Sequence, residues 1–199
     1  PTGTRGGTAI VIPYESIERE DGKETQKEAI QRVKRSAETH GRGRLASALT
    51  IIAGRDINVI SAYAPVNAAE RKRYVNEVLS PNINANSLVG TDANCVPDEM
   101  LDQISSSGQP TANTGAAEMV EGFALSDLTD IARQQLGTGR LYTSHHRYRT
   151  SAEGVQPPTY GVTKRRIDQI WVPGAENLMW THRAQPSFYR TVTHAGYPD

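Results

Sequence analysis

The sequence predicts an α/β or α+β sandwich rather than an all-helical or an all-β protein. Short β-rich apolar runs and amphipathic helical patterns intermix along the chain, as they do in layered folds of sheets and helices. The 199 residues fit one domain, and 37% hydrophobic with 22% charged residues is ordinary for a globular protein. No window approaches the roughly 18 apolar residues of a membrane-spanning helix. The single cysteine, Cys95, excludes an internal disulfide framework and a zinc site of clustered cysteines.

Five apolar runs predict β-strands, over residues 8–12, 45–52, 57–63, 87–92 and 167–172. A turn at Gly54-Arg55-Asp56 separates the second run from the third, so these two strands are predicted to form a hairpin. Residues 178–184 are the candidate hairpin partner of the last strand.

Helical spacing predicts three helices. Asn67, with Glu70 three residues later, forms a capping-box pattern before the first helix. The apolar side of that helix consists of Tyr74, Val75, Val78 and Leu79.

The second predicted helix has Ala116, Met119, Val120 and Phe123 as its apolar positions. The third covers residues 125–136 and ends at Gly137. Residues 15–40 are dense in charged side chains and predict a solvated excursion or a marginal helix. The polar stretch 138–163 predicts a long surface loop.

The net charge of zero hides a strong segregation of charge. Residues 41–73 carry six basic and two acidic side chains, and residues 133–199 carry nine basic and four acidic ones. Between them, residues 74–132 carry nine acidic side chains and no Lys or Arg. Such a pattern suits a cation site beside phosphate-binding surfaces. The alternative is that folding interleaves the three segments into an unremarkable surface.

Four stretches place polar side chains at strand ends or at the chain end. They are Tyr63-Ala64-Pro65, Gly90-Thr91-Asp92-Ala93-Asn94, Arg166-Ile167-Asp168 and Pro198-Asp199. Each has an ordinary structural explanation when taken alone, since Asp and Asn cap turns and Asp168 beside Arg166 suggests a surface ion pair. Because a sheet brings the ends of distant strands together, the four stretches can also form one site.

In this order the four stretches resemble the signature of the endonuclease/exonuclease/phosphatase, or deoxyribonuclease I-like, superfamily. The branch they resemble is the apurinic-type endonuclease domain of LINE-type (non-LTR) retrotransposons. Typical of that branch are Arg5-Gly6-Gly7 before an apolar strand, Cys95 after the Asp-x-Asn, Asp102, and the segment 128–133. The resemblance covers residues 1–199 as one domain and implies an α/β four-layer sandwich, with two mainly antiparallel or mixed β-sheets packed together and flanked by helices.

The resemblance also implies Mg²⁺-dependent phosphodiester hydrolysis, with Mn²⁺ as a substitute. Asp92 would align or deprotonate the attacking water, Asn94 would hold the phosphate or orient Asp92, and Tyr63 would place its phenol near the phosphate. Asp168 would support the metal or histidine network, and Asp199 would be a metal ligand. This chemistry needs a positioned water, a proton acceptor and stabilisation of negative charge.

DNA is the substrate that the resemblance implies, and nicking of a target site to prime reverse transcription is the implied role. By this resemblance the residues assigned to substrate contact are Asn94, Thr143, Lys164, Arg165 and Arg166. The last three are cations beside the predicted strand of Asp168, and cations in such a place bind phosphates. A reverse transcriptase domain of the same polyprotein is the expected partner, the nucleus is the expected location, and no membrane is involved.

The family's remaining site residues are a Glu and an Asn upstream of Arg5-Gly6-Gly7 and a His directly after Asp199. The chain is therefore expected to be truncated at both ends and to have little activity by itself. Two alternatives are another phosphoesterase of the superfamily, such as an abasic-site repair nuclease or an enzyme of small phosphates, and a non-catalytic fragment that only binds DNA.

Overall fold

The computed structural model describes residues 8–106, 113–153 and 156–174. These residues form two β-sheets flanked by helices, which confirms the α/β architecture. The strands are β1 (Glu38–His40), β2 (Leu45–Ile52), β3 (Arg55–Tyr63), β4 (Ser87–Asp92), β5 (Gln103–Ser105), β6 (Leu128–Asp130), β7 (Ser144–Arg149), β8 (Tyr160–Arg165) and β9 (Asp168–Pro173). The helices are α1 (Gln26–Ser36), α2 (Ala68–Tyr74), α3 (Ala116–Leu125) and α4 (Ile131–Leu136). None of the helices in these ranges has the length and apolar character needed to cross a membrane.

The larger sheet has the strand order β1-β2-β3-β4-β9-β6, and the smaller sheet has the order β5-β8-β7. All neighbouring strands are antiparallel except β3 and β4, which are parallel. The carboxyl ends of β3 and β4 therefore lie at the same edge of the larger sheet. Because β9 is antiparallel to β4, the start of β9 lies at that edge as well.

The main core lies between one face of the larger sheet and the helices α2 and α3. Ile60, Val89 and Trp171 come from three adjacent strands and belong to one buried cluster with Met119 and Phe123 of α3. The rings of Phe123 and Trp171 stack with their centroids 4.4 Å apart. Burial of these side chains supplies much of the driving force for folding.

Helix α2 begins as predicted, because the Asn67 side-chain oxygen accepts the backbone N–H groups of Ala69 and Glu70. After α2 the chain continues through one π-helical turn, Val75–Leu79, that buries Val75 and Leu79.

Helix α1 is better defined than the sequence suggested. Thr25 and Glu28 form a reciprocal capping box at its start, and this motif was overlooked among the many charged residues of 15–40. Ala29 and Val33 pack against Ala48 of β2. The register of the β2–β3 hairpin places Ala48 on the face opposite Ile60, so helices cover parts of both faces of the larger sheet.

Three predicted elements were wrong. Residues 8–12 form no strand, although the Thr8 N–H donates to the Gly43 carbonyl at 3.2 Å. The helix predicted over 125–136 is divided into β6 and α4, because Asp130 ends the strand and caps the helix by accepting the N–H of Ala132. The loop predicted over 138–163 contains β7 and β8, whose polar side chains hide the strand pattern. Residues 178–184 lie outside the described residues.

A buried cluster of ions joins the two sheets. The Arg166 side chain is fully buried, and its guanidinium donates to Asp102 through Nε and Nη2, both at 2.8 Å. It also donates to Asp130 through Nη1 at 3.1 Å and through Nη2 at 2.6 Å. Burial alone would lower the pKa of Arg166, but the two carboxylates raise it. Arg133 adds a second cation at 2.5 Å from Asp102.

We expect Asp102→Ala to destabilise the protein by about 3–5 kcal/mol, because the buried Arg166 charge loses half of its partners. Glu118→Ala is the matched control, since Glu118 pairs with Lys72 at the surface and its loss is expected to cost less than about 1 kcal/mol. Urea unfolding followed by circular dichroism measures both changes. Similar small losses in the two variants would contradict a structural role for the cluster.

Candidate active site

Three of the predicted site residues lie in one row across the edge of the larger sheet. Tyr63 is directly opposite Asp92 in the β3–β4 pair, and Asp92 is directly opposite Asp168 in the β4–β9 pair. Side chains at paired positions project from the same face of a sheet. The alternation of side chains along β3 and β4 puts this face opposite the one that packs on α2 and α3.

The row lines a cleft of about 460 Å³. Thr143 lines the same cleft, together with Ser61 of β3. The structure thus brings together Tyr63, Asp92, Thr143 and Asp168, which come from four separate segments of the sequence. Their assigned roles in catalysis and substrate contact stay predictions.

Asp92 lies in an electrostatically unfavourable place for a carboxylate. Partial burial raises its pKa above the ordinary value of 3.8, and the neighbouring Asp168 raises it further. The Asn94 backbone N–H, which donates to Asp92 Oδ1 at 3.2 Å, acts in the opposite direction. A group that binds a proton more readily than usual, and lies in a cleft, is suited to accept a proton from water.

Asn94 is held beside the row by its own side chain. Its Nδ2 donates to the Ala64 carbonyl at 2.8 Å, and its φ of 49° is in the left-handed region that Asn tolerates. The side chain therefore ties the end of β4 to the residue after Tyr63. This geometry favours the predicted orienting role of Asn94, since its backbone N–H contacts Asp92.

Cys95 is buried, and burial raises the pKa of its thiol to about 11. The thiol is therefore protonated at neutral pH, in agreement with the expectation that Cys95 is a small packing residue. Its carbonyl accepts a hydrogen bond from Gln169 Nε2 at 3.0 Å, and Gln169 in turn accepts one from the Trp171 indole. These bonds fix the loop after β4 to the strand that carries Asp168.

Thr143 orients the start of β9. Its hydroxyl oxygen accepts the backbone N–H groups of Ile167 at 3.1 Å and of Asp168 at 3.0 Å. The Thr143 N–H itself donates to the Arg165 carbonyl at 2.9 Å. Thr143 therefore holds the backbone of Asp168 at the edge of the cleft.

The predicted phosphate-binding role of Arg166 is wrong. Its guanidinium is fully buried and its donors are taken by Asp102 and Asp130, so it cannot reach a substrate. The surface ion pair considered for Arg166 and Asp168 is replaced by this buried cluster. Lys164 and Arg165 are partly exposed on β8 and stay candidates for phosphate contact.

One cation beside the row was missed. The Arg44 guanidinium carbon lies 5.2 Å from the centroid of the Tyr63 ring, within range of a cation–π contact. The Tyr63 N–H donates to the Arg44 carbonyl at 2.8 Å. The signal was present in the sequence, because extending the predicted hairpin by one pair brings Arg44 next to Tyr63.

The described residues contain no cluster of three or more His, Cys, Asp or Glu side chains that could hold a metal ion. They do supply the facing carboxylates of Asp92 and Asp168. Mg²⁺ is commonly bound through one or two carboxylates, with water and substrate phosphates completing its ligands. The donor set therefore fits Mg²⁺, while Asp199, the predicted metal ligand, lies outside the described residues.

The fold and the site define an α/β protein with a carboxylate-bearing cleft at the edge of a mixed β-sheet. No family model matches the sequence, and no curated protein matches it.

Comparison with solved structures gives weak similarities. The endonuclease domain of TRAS1, a telomere-specific non-LTR retrotransposon, is 12% identical with a TM-score of 0.36, over 72% of this chain and 57% of that one. TDP2 from D. rerio, complexed with a single-strand DNA product, is 18% identical with a TM-score of 0.36, over 67% of this chain and 47% of that one. Sphingomyelinase C from Streptomyces griseocarneus is 13% identical with a TM-score of 0.22, over 61% of this chain and 57% of that one. The chain spans about half the length of these structures.

We expect Asp92→Asn to raise the free energy of unfolding at pH 7. The raised pKa means that ionised Asp92 costs the folded state more than the unfolded state. The increase in the free energy of unfolding should be complete above the folded-state pKa of Asp92. It should disappear as the pH falls through that pKa towards the ordinary value of 3.8. Urea unfolding at several pH values measures it, with the exposed Glu99→Gln as the control. A loss of stability at pH 7 would contradict the electrostatic argument.

We expect Thr143→Val to increase the hydrogen-exchange rates of the Ile167 and Asp168 amides, because both lose their acceptor. Thr143→Ser keeps the hydroxyl and should leave both rates near those of the wild type. Amide exchange followed by NMR makes the comparison, and equal protection in all three proteins would refute the orienting role.

Proposed function

We propose that this chain is a phosphodiesterase domain of the endonuclease/exonuclease/phosphatase superfamily that nicks DNA, in the branch found in non-LTR retrotransposons. The observation that carries the proposal is the row of Tyr63, Asp92 and Asp168 at the edge of the sheet. Each of these side chains comes from a different one of the four stretches that resemble this superfamily. Because the three residues lie at the same level of adjacent strands, their side chains line one cleft.

In the proposed reaction Asp92 aligns the attacking water and accepts its proton. The raised pKa of Asp92 brings its proton affinity closer to that required at neutral pH. The Asn94 N–H keeps the carboxylate aimed into the cleft, and the Tyr63 phenol contacts a phosphate oxygen. Thr143 positions the Asp168 backbone.

Mg²⁺, or Mn²⁺ in its place, is the proposed cofactor. Asp199 would hold it, with Asp168 supporting the metal at the edge of the sheet. When bound, the ion stabilises negative charge on the phosphate and the leaving oxygen.

DNA is the proposed substrate because cations flank the carboxylate row. Arg44 lies over Tyr63, and Lys164 with Arg165 lies on the strand that leads to Asp168. Such cations contribute affinity for phosphates independently of base sequence. We further propose a reverse transcriptase domain of the same polyprotein as the partner and the nucleus as the place of action.

Nicking of supercoiled plasmid DNA by the full-length protein tests the proposal. We expect nicking with Mg²⁺, none with EDTA, and a rate for Asp92→Ala that is lower by about 10²-fold or more, since a positioned general base contributes that much. Gel separation of supercoiled from open-circular DNA gives the rate.

Glu99→Ala is the matched control, because Glu99 is an exposed acidic residue in the loop that follows Asp92. It should nick at the wild-type rate. Nicking that survives Asp92→Ala would place the active site elsewhere. Metal-dependent hydrolysis of bis-p-nitrophenyl phosphate without any cleavage of DNA would favour a phosphoesterase of small phosphates over an endonuclease.

A further inference from the structure

The residue after Tyr63 ties the end of β3 to the candidate active site. The Ala64 N–H donates to the Asp92 carbonyl at 2.8 Å, and the Ala64 carbonyl accepts from Asn94 Nδ2 at 2.8 Å. Asn94 in turn directs its backbone N–H at the Asp92 carboxylate. The position of the Ala64 backbone therefore determines how Asn94 is oriented towards that carboxylate.

Arg71 of α2 holds the two residues that follow Ala64. Its Nη1 donates to the Pro65 carbonyl at 3.3 Å and to the Val66 carbonyl at 2.9 Å. Helical side chains point towards the N-terminus of their helix, so Arg71 reaches back past the start of α2 to the chain that enters it. Its guanidinium thus supplies donors to two carbonyls that precede the helix.

The same guanidinium joins this loop to the segment before α3. Arg71 Nε donates to the Thr114 carbonyl at 2.7 Å. Gly115 permits the close approach, because its φ is 91° and a Cβ at this position would lie 3.2 Å from Arg71 Cγ. The Asn113 side chain accepts the Val96 N–H at 2.8 Å and donates to the Val96 carbonyl at 2.9 Å. These contacts connect the loops that follow β3 and β4 to one segment.

Arg71 is a buried cation with neutral partners. It is 2% exposed, and it forms no ion pair with a carboxylate in the part of the chain that the structure describes. Backbone carbonyls compensate the burial of a charge less well than the carboxylates around Arg166 do. What the arginine offers is its planar fork, which holds several acceptors in one fixed geometry.

We propose that Arg71 is a positioning residue of the candidate active site. It fixes the backbone that follows Ala64, so that the Ala64 carbonyl keeps Asn94 in the orientation in which its N–H contacts Asp92. Helix α2 packs on the face of the larger sheet opposite the cleft, so Arg71 acts through these bonds and not by contact with the substrate. The consequence for catalysis rests on the proposed function, whereas the effect on the loop does not.

Hydrogen exchange of the Ala64 and Asn94 backbone amides, followed by NMR, tests the positioning step without catalysis. We expect Arg71→Met to raise both rates by about tenfold, because two carbonyls lose their donor and the loop opens more often. Arg71→Lys keeps a donor but loses the planar fork, so its rates should lie between those of the wild type and of Arg71→Met. Unchanged rates in both variants would overturn the proposal.

Val75→Ala is the control for a general loss of stability. Val75 is fully buried in the core directly after α2, so its truncation should lower the melting temperature without touching the bonds around Ala64. It should leave the exchange rates of the Ala64 and Asn94 amides near those of the wild type. An equal increase in Val75→Ala and in Arg71→Met would assign Arg71 to stability alone and would overturn its positioning role.

Nicking by the full-length protein tests the consequence for catalysis. Arg71→Met should lower kcat by about tenfold or more and change KM for plasmid DNA by less than about twofold, because misplaced groups impair the chemical step and not DNA binding. Lys72→Met removes the same charge from an exposed position of α2 and should keep both constants. A raised KM with an unchanged kcat would assign Arg71 to DNA binding and contradict the proposal.

The two measurements separate this proposal from the proposed function. A wild-type protein that fails to nick DNA contradicts the proposed function, and the exchange rates of the Ala64 and Asn94 amides then still decide whether Arg71 orients the loop. Faster exchange in Arg71→Met together with an unchanged kcat overturns the catalytic consequence of the positioning.

Discussion

The Arg166 side chain is the interaction on which the geometry of the candidate site depends. A guanidinium with no exposure to solvent is tolerated only where its charge and donors are satisfied, and here two carboxylates surround it. Asp102 precedes β5, Asp130 ends β6, and Arg166 lies between β8 and β9. The Arg166 side chain therefore links the segment before β5 of the smaller sheet to β6, the outermost strand of the larger sheet. The backbone N–H of Arg166 also donates to the Asp102 carbonyl at 2.8 Å.

This constraint explains how two carboxylates can face each other at the neighbouring strand ends. Asp168 follows Arg166 by two residues, and the buried cluster together with the Thr143 hydroxyl fixes the backbone between them. The Asp168 backbone consequently cannot move away from Asp92 without disturbing the hydrogen bonds to Thr143 or the buried Arg166 cluster. The repulsion that raises the pKa of Asp92 is thus sustained by favourable interactions nearby. Functional sites commonly keep such local costs where the surrounding structure is rigid.

The parts of the fold that apolar residues build were predictable from the sequence. The strands β2, β3, β4 and β9 and the helices α2 and α3 have the periodicity that a buried face requires, and the predictions for them were confirmed. The strands β7 and β8 are different, because their polar side chains leave only backbone pairing to define them. Residues 8–12 show the converse, an apolar run that packs near α1 without forming a strand. Pairing partners, rather than composition, decide such segments.

The part of the candidate site that lies at the ends of predicted strands was predictable from the sequence. Tyr63, Asp92 and Asp168 each end or begin a strand that the apolar pattern identifies, so their meeting follows from sheet geometry. The burial of Arg166 within the run Lys164-Arg165-Arg166 could not be predicted from the sequence. It depends on Asp102 and Asp130, which are 64 and 36 residues away from Arg166 in the chain. A run of three cations reads as one surface feature in a sequence. In the structure Arg166 is buried among acids, and Arg165 is left with unpaired donors.

The segregation of charge along the chain acquires a physical meaning from these contacts. Two of the nine acids of the segment 74–132, Asp102 and Asp130, are neutralised inside the fold by arginines of the basic segment that follows. Asp92 belongs to the same acidic segment, yet its nearest charged neighbour in the sheet is another carboxylate. Arg165 belongs to the same basic segment, and burial, together with the charge of Arg71, lowers the pKa of its guanidinium. Charges that pair with the opposite sign inside the fold stabilise it, whereas the facing carboxylates of Asp92 and Asp168 are a local electrostatic cost at the edge of the sheet.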